Sequence, residues 1–257
     1  MLRIATQPGG AEVYIGGRHQ GTTPAEAGKT LAIRLPGGQY DIEAHKAVDA
    51  YREYRGQLQY RHDDARPAPP VELVLDLRLT AAGEQQQADE ARRLEAHRRA
   101  ALERFVPNDD GTVTDTRLGL VWMRCSLGQT WTGDGCAGEA RQLNWDQALK
   151  AAEDFSHAGV AGWRLPTQPE LHSITHCSTG RRFEPGADGM GGGCAGEYQR
   201  PTILDTIFPD TPAANFWTST PHERFSFSAW GVSFHSGHTG TGGRSDYVHV
   251  RLVRDAD

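Results

Sequence analysis

Residues 81–105 read AAGEQQQADEARRLEAHRRAALERF. Ala, Glu, Gln and Arg are strong helix formers, so the stretch predicts one long helix. Ala91, Leu94, Ala101, Leu102 and Phe105 fall near one face at three- to four-residue spacing. Leu and Phe are too few for a coiled-coil seam, and the rest of the surface is polar. The helix is therefore read as a solvated connector, stopped by Pro107-Asn108-Asp109-Asp110-Gly111. A helix this polar cannot fuse two hydrophobic cores. The chain is thus expected to hold two domains, 1–80 and 107–257, joined by a linker at 81–106; 257 residues leave room for both.

The bulk properties exclude some functions. The net charge of −6 would repel a nucleic-acid backbone, so no nucleic-acid partner is expected. No apolar run approaches the roughly 18 residues of a membrane span. Met1 runs straight into LRIAT with no basic and apolar leader. That reads either as a cytoplasmic protein or as a chain whose anchor or signal lies upstream. The cysteines weigh the other way. Cys125 and Cys136 bracket one Gly-rich stretch, Cys177 and Cys194 another, and no CxxC is present. A zinc ribbon does not fit. Two local disulfides, 125–136 and 177–194, are the economical reading, with four reduced buried thiols as the alternative. Each bridge would contribute about 3 kcal/mol in the chain-entropy model. Disulfides imply an oxidising compartment, so an extracytoplasmic or cell-surface location is favoured.

Before the helix, β-rich runs stand at 2–5, 12–15, 30–35, 40–45 and 71–79. Turn signals separate them at Pro8-Gly9-Gly10, Gly16-Gly17 and Pro36-Gly37-Gly38. The wording IATQPGGAEVYIGGRHQGTTP, then LPGGQYDIEAH, resembles the PEGA domain over roughly the first 80 residues. Gly10 stands where that family's name would put Glu. The resemblance implies a small β-sandwich with no catalytic role, commonly outside the cytoplasm, serving as a spacer or docking module.

After the helix, TVTDTRLGLVWM predicts two short strands around Thr116-Arg117. Asn144 with Gln147, and Thr167 with Glu170, are capping-box pairs that open two helices. Trp145, Ala148, Leu149, Ala152 and Phe155 line the first, with Gly159 as its stop; Leu171 and Ile174 point the second at the core. The order TRLGLVWMR, helix, GWRLPTQPEL, FWTST, AWGVSF, VRLVR resembles the Lcl C-terminal domain family over about 108–254. That family is related to the formylglycine-generating-enzyme branch of the C-type lectin fold. The resemblance implies an α+β domain with two helices and a twisted antiparallel sheet, whose final strands and loops carry the ligand surface. Some members of the fold are variable proteins of diversity-generating retroelements, which randomise adenines at AAY codons. Such codons never yield Glu, Gln, Lys, Met or Trp. From Arg224 to Val250 the first four are absent, and the one Trp, Trp230, is read as framework facing the core.

The candidate recognition residues are Arg224, Phe225, Phe227, His235, His238, Arg244, Asp246, Tyr247 and His249. Aromatic and Arg side chains anchor ligands, while His and Asp give adaptable hydrogen bonds. The expected partner is a protein or cell-surface ligand of unknown identity. Other motifs carry less. His172 and His176 have zinc-ligand spacing, but Ser173 stands where the metalloprotease motif needs its Glu, so no metal is expected. Gln168-Pro169-Glu170 sits at a helix start and is read as capping, not a calcium motif. Gly189–Gly193 follows no strand and is not a phosphate loop. The formylglycine-generating enzymes use C-terminal cysteines, and this chain has none after Cys194. The reading is a binding protein with no catalytic residues and no cofactor, against a fixed-ligand adhesin or sensor and, more remotely, an enzyme of that type.

Overall fold

The computed structural model describes residues 1–49, 52–62 and 70–256. It is an α+β protein of two compact units, 1–93 and 94–257. Helix α1, Ala81–Glu103, contributes residues to both.

The first unit is two β-sheets around one core. In the smaller, Leu2–Gln7 is central, antiparallel to Leu31–Ile33 and parallel to Val71–Asp76. The larger runs in the order Arg18–Thr22, Glu12–Ile15, Gly38–Ala47, Glu53–His62, Arg78–Leu79. Alternation explains the pairing: Leu2 and Ile4 are buried while Arg3 is exposed, and Val13, Ile15, Ile42 and Ala44 face them from the other sheet. The turn between the first two strands of the larger sheet needs left-handed backbone at both central residues, and Gly16 (φ 54°) and Gly17 (φ 74°) supply it. The run expected as one strand at 71–79 is two. It leaves the smaller sheet after Asp76, buries Leu77 and joins the larger sheet at Arg78.

In the second unit, a four-stranded sheet has the order Val253–Asp255, Leu120–Met123, Thr112–Asp115, Phe105–Pro107. A five-stranded sheet runs Gln142–Leu143, Val248–His249, Asn215–Pro221, Ser228–Ser233, Thr239–Gly243. Two hydrophobic clusters lie on opposite sides of the strands they share. Leu120, Trp122, Phe216 and Val232 go to one, with Phe208 and Phe234; Val121, Met123 and Trp217 go to the other, with Trp145, Trp163 and Leu252. Burial on both faces is why LVWM and FW read as unbroken apolar runs.

Both capping boxes form. Asn144 and Gln147 open α2, Trp145–Glu153; Thr167 and Glu170 open α3, Gln168–Ser173. Helix α2 ends at Asp154 and not at Gly159, so Phe155 packs from beyond the helix. Glu170 also anchors the preceding segment. Arg164 of GWRLP donates two hydrogen bonds to it, at 2.8 and 2.9 Å, and a third to Asp255 at 2.8 Å. Backbone bonds between Arg164 and Val253 complete the clasp, so this motif ties the helix start to the last strand.

Arg251, in VRLVR, is wholly buried and no carboxylate lies beside it among the described residues. Its guanidinium donates to the carbonyls of Met123 and Arg124 and to the hydroxyl of Thr211, and it stacks on Phe208. A buried cation whose two terminal nitrogens donate to neutral oxygens fixes the segment between Val248–His249 and Val253–Asp255 against the one leading to Cys125.

The structure adds strands that the sequence reading does not name: Phe105–Pro107, Thr130–Trp131, Cys136–Ala137, Gln142–Leu143 and Thr239–Gly243 in the second unit, and two in the first. Arg18–Thr22 and Glu53–His62 are strands that their polar composition conceals. The first is an exposed edge; the second lies between two paired strands, with only Tyr54 and Tyr60 packed against the core.

Candidate functional site

The surface built by residues 215–249 begins with its framework. Phe216, Trp217, Ala229, Val232, Phe234, Val250 and Leu252 are each 1% exposed or less. Trp217 also donates its indole N–H to the Leu143 carbonyl at 3.0 Å, and Thr218 donates its hydroxyl to the Trp230 carbonyl at 2.8 Å. These bonds hold the Asn215–Pro221 and Ser228–Ser233 pair against the strand Gln142–Leu143 and against itself, leaving the connections free to carry other chemistry.

Of the predicted recognition residues, Arg224, Phe225, Phe227, His235, His238, Asp246 and Tyr247 are exposed. Two groups form among them. The first is a cluster of rings at the 221–228 connection. His222 lies 4.9 Å from Phe225, Phe225 lies 5.6 Å from Phe227, and His222 stacks on Trp230 at 6.0 Å and 8°. Phe225 and Phe227 are 50% and 69% exposed, so their rings are offered to solvent rather than used to close a core.

The second is a depression of about 200 Å³ on the sheet, walled by His238, Asp246 and Asn215. Its floor is glycine. Gly231 pairs with Gly240, and Gly242 lies two residues further along the same face. A Cβ at Gly242 would meet the Trp217 indole at 3.1 Å, and one at Gly231 would meet the Phe216 carbonyl at 3.0 Å. The glycines therefore leave room for the buried Trp and keep the floor low. Asp246 is oriented by the Gly243 N–H, which donates to its carboxylate at 2.9 Å.

Three expectations need correction. His249 is only 9% exposed: its ring tilts on Phe216 at 5.4 Å and its Nε2 is 3.1 Å from the Gln142 amide. Burial lowers its pKa, against the opposing backbone of Arg141 and Ala140. It belongs to the packing because Val248–His249 is an interior strand of the sheet, which no local pattern reveals. Arg244 is half-buried, laid over Trp145 at 4.2 Å; its carbonyl accepts from the Trp145 N–H and its own N–H donates to the Phe227 carbonyl. Its role at the surface is to fix the frame of both loops. Trp230 is half-exposed and stands in the ring cluster rather than facing the core. The side chains of Arg224, His235 and Tyr247 join neither group. The residues that sequence reasoning missed are Asn215 and the glycine floor; the alternation of Gly in TGTGG was the available signal.

Both disulfides form, Cys125–Cys136 and Cys177–Cys194. The second supports the site. The Cys194 N–H donates to the Ser236 carbonyl at 2.8 Å, and Gly191 exchanges two backbone bonds with Thr239 at 2.9 Å. The segment Gly189–Gly193 thus extends the sheet past Thr239–Gly243, and its glycines at φ 77°, 94° and 70° (Gly189, Gly191, Gly192) make the turns that bring it there. The two histidines at metal spacing have separate contacts: His172 lies beside Arg182 at 3.4 Å, and His176 stacks on His97 at 5.0 Å. No group of three His, Cys, Asp or Glu that could hold a metal occurs among the described residues.

Comparison with protein-family models matches residues 1–65 to the PEGA domain and residues 111–254 to the Lcl C-terminal domain. No curated protein matches the chain. The match at 111–254 covers nearly all of the two hydrophobic clusters, both disulfides and the whole recognition surface, so the chain belongs to the Lcl C-terminal domain family and carries a PEGA domain before it.

Proposed function

We propose that the protein is a non-enzymatic binding protein whose face at about 222–249 is a recognition surface diversified by a retroelement. A PEGA domain, an Lcl C-terminal domain and two disulfides fit an extracellular recognition protein. The observation that carries the finer reading is a separation. In one short stretch, side chains that adenine-randomised codons can encode (Arg224, Phe225, Phe227, His235, His238, Asp246, Tyr247) are solvent-exposed, while the intervening Val232 and Phe234 are fully buried. Rigid framework with exchangeable tips is the physical requirement for a surface that changes ligand without losing its fold. Phe225 and Phe227 supply apolar anchors; His238 and Asp246 supply directional bonds at the depression.

The test is sequencing of the coding region across natural isolates, with its flanking DNA. Expected are substitutions concentrated at the exposed positions between 222 and 249, and a nearby reverse transcriptase with an adenine-rich copy of that region. Variation spread evenly over framework positions such as Trp217 and Phe234, with no such copy, would leave a fixed-ligand adhesin or sensor as the reading.

A further inference from the structure

A second cavity, of about 590 Å³, lies within the C-terminal unit away from the recognition surface. One wall is the last turns of α1; the other is the segment 173–184, where the chain leaves α3 and enters the loop closed by Cys177 and Cys194. Its chemistry is set by His97, Arg104, Arg117, His176, Arg182 and Glu184.

These groups do not neutralise one another. Arg104 is committed to the fully buried Asp115, to which its Nε donates at 3.0 Å. The Arg117 side chain is exposed and makes no hydrogen bond or ion pair among the described residues. Arg182 has an exposed stem, but its guanidinium is held in place. It donates to the Thr175 carbonyl at 2.8 Å, the Thr175 hydroxyl at 2.6 Å and the Gly192 carbonyl at 3.2 Å, all neutral oxygens. Glu184 is the one carboxylate of the lining, and the nearby Asp205 faces Arg98 at 3.8 Å. His97 and His176, both on the lining, stack at 19° with ring centroids 5.0 Å apart.

We propose that this cavity binds a small oxyanion, a carboxylate or phosphate group on a compact ligand, through Arg117 and Arg182. The Arg117 fork matches the planar spacing of such oxygens, while the Arg182 guanidinium, whose two terminal nitrogens already donate to Thr175 and Gly192, adds a fixed positive charge beside it. The state of His176 agrees with a positive field that Asp205 opposes only in part. Burial first, and then His97, Arg182 and Arg98, lower its pKa to about 4. Because α1 forms one wall, an occupant would also fasten the helix end to the domain.

Inorganic phosphate and citrate are titrated separately into the full chain by calorimetry, with chloride at matched ionic strength as the control. His176 is followed by NMR. Saturable binding with a dissociation constant of about 1 mM or tighter is expected for at least one anion. It should be accompanied by a rise in the His176 pKa and slower amide exchange at 94–103. Phosphate alone or citrate alone identifies the source of the group. Arg117→Gln leaves a surface position and should weaken binding at least about tenfold. Arg182→Gln should do the same if it folds; if it does not, Arg117→Gln and the His176 titration decide. No saturable binding of either anion, binding unchanged by Arg117→Gln, or a His176 pKa that ignores the anion would each overturn the site.

Discussion

Histidine burial gives single residues a measurable effect on the stability of the C-terminal unit. Burial, and then the charges of His97, Arg182 and Arg98 against Asp205, hold folded His176 near pKa 4 rather than 6.5. Above pH 6.5 the ring is neutral in both folded and unfolded chains and titration has no effect. Between 6.5 and about 4 the unfolded chain takes up a proton that the folded one refuses, so stability falls as pH falls. Burial lowers His172 and His249 in the same direction. Glu170 adds to it: burial works against its charge, but the Arg164 hydrogen bonds prevail and lower its pKa, so the stability it gives is lost on protonation. Denaturant midpoints should therefore decline from pH 6.5 to 4, and His176→Gln should flatten that slope. An unchanged slope in the variant would place the acid sensitivity elsewhere. Truncation separates framework from face at the same scale. Trp217→Ala should cost about 3–5 kcal/mol, whereas Phe227→Ala should change stability by no more than about 0.5 kcal/mol. Thermal melts of the two variants check both, and a large loss at Phe227 would make that ring part of the core.

Among the elements, α1 departs most from a solvated connector. Its first turns are polar and, Gly83 apart, largely exposed. Its last turns pack Ala101 and Leu102 on the C-terminal core, and Phe105 is buried at the head of the strand Phe105–Pro107. Arg104 holds the buried Asp115. A chain starting near Val106 would lose Phe105 and leave Asp115 unpaired, a change that typically costs about 3–5 kcal/mol. A chain beginning at Leu94 should give one cooperative melt, and one beginning at Val106 should melt lower or aggregate. Calorimetry of the pair decides; equal melting temperatures would mean that α1 contributes nothing to the domain.

Across the whole molecule, the elements legible beforehand were those with a local cause. Capping boxes at Asn144 and Thr167, the strand pair around Thr116-Arg117 and the double-glycine turn at Gly16-Gly17 each depend on residues a few positions apart. So did the two disulfides, whose partners bracket their own loops. Glu53–His62 was not legible because its pattern is polar and its identity as a strand comes from partners on both sides.

The sequence by itself determined two units, α+β content and a C-terminal stretch of buried framework with exposed rings and polar tips. Composition, alternation and turn residues act over short distances and need no partner to be read. Only the tertiary structure decided which faces of that stretch are wet. It buried His249 by making its strand interior, brought Trp230 out to His222, and set a glycine floor over Trp217. It also gathered Arg117, Arg182 and His97 around one cavity from three separated segments. Exposure and net local charge are sums over neighbours distant in the chain, and those neighbours are fixed only when the sheets and helices have packed.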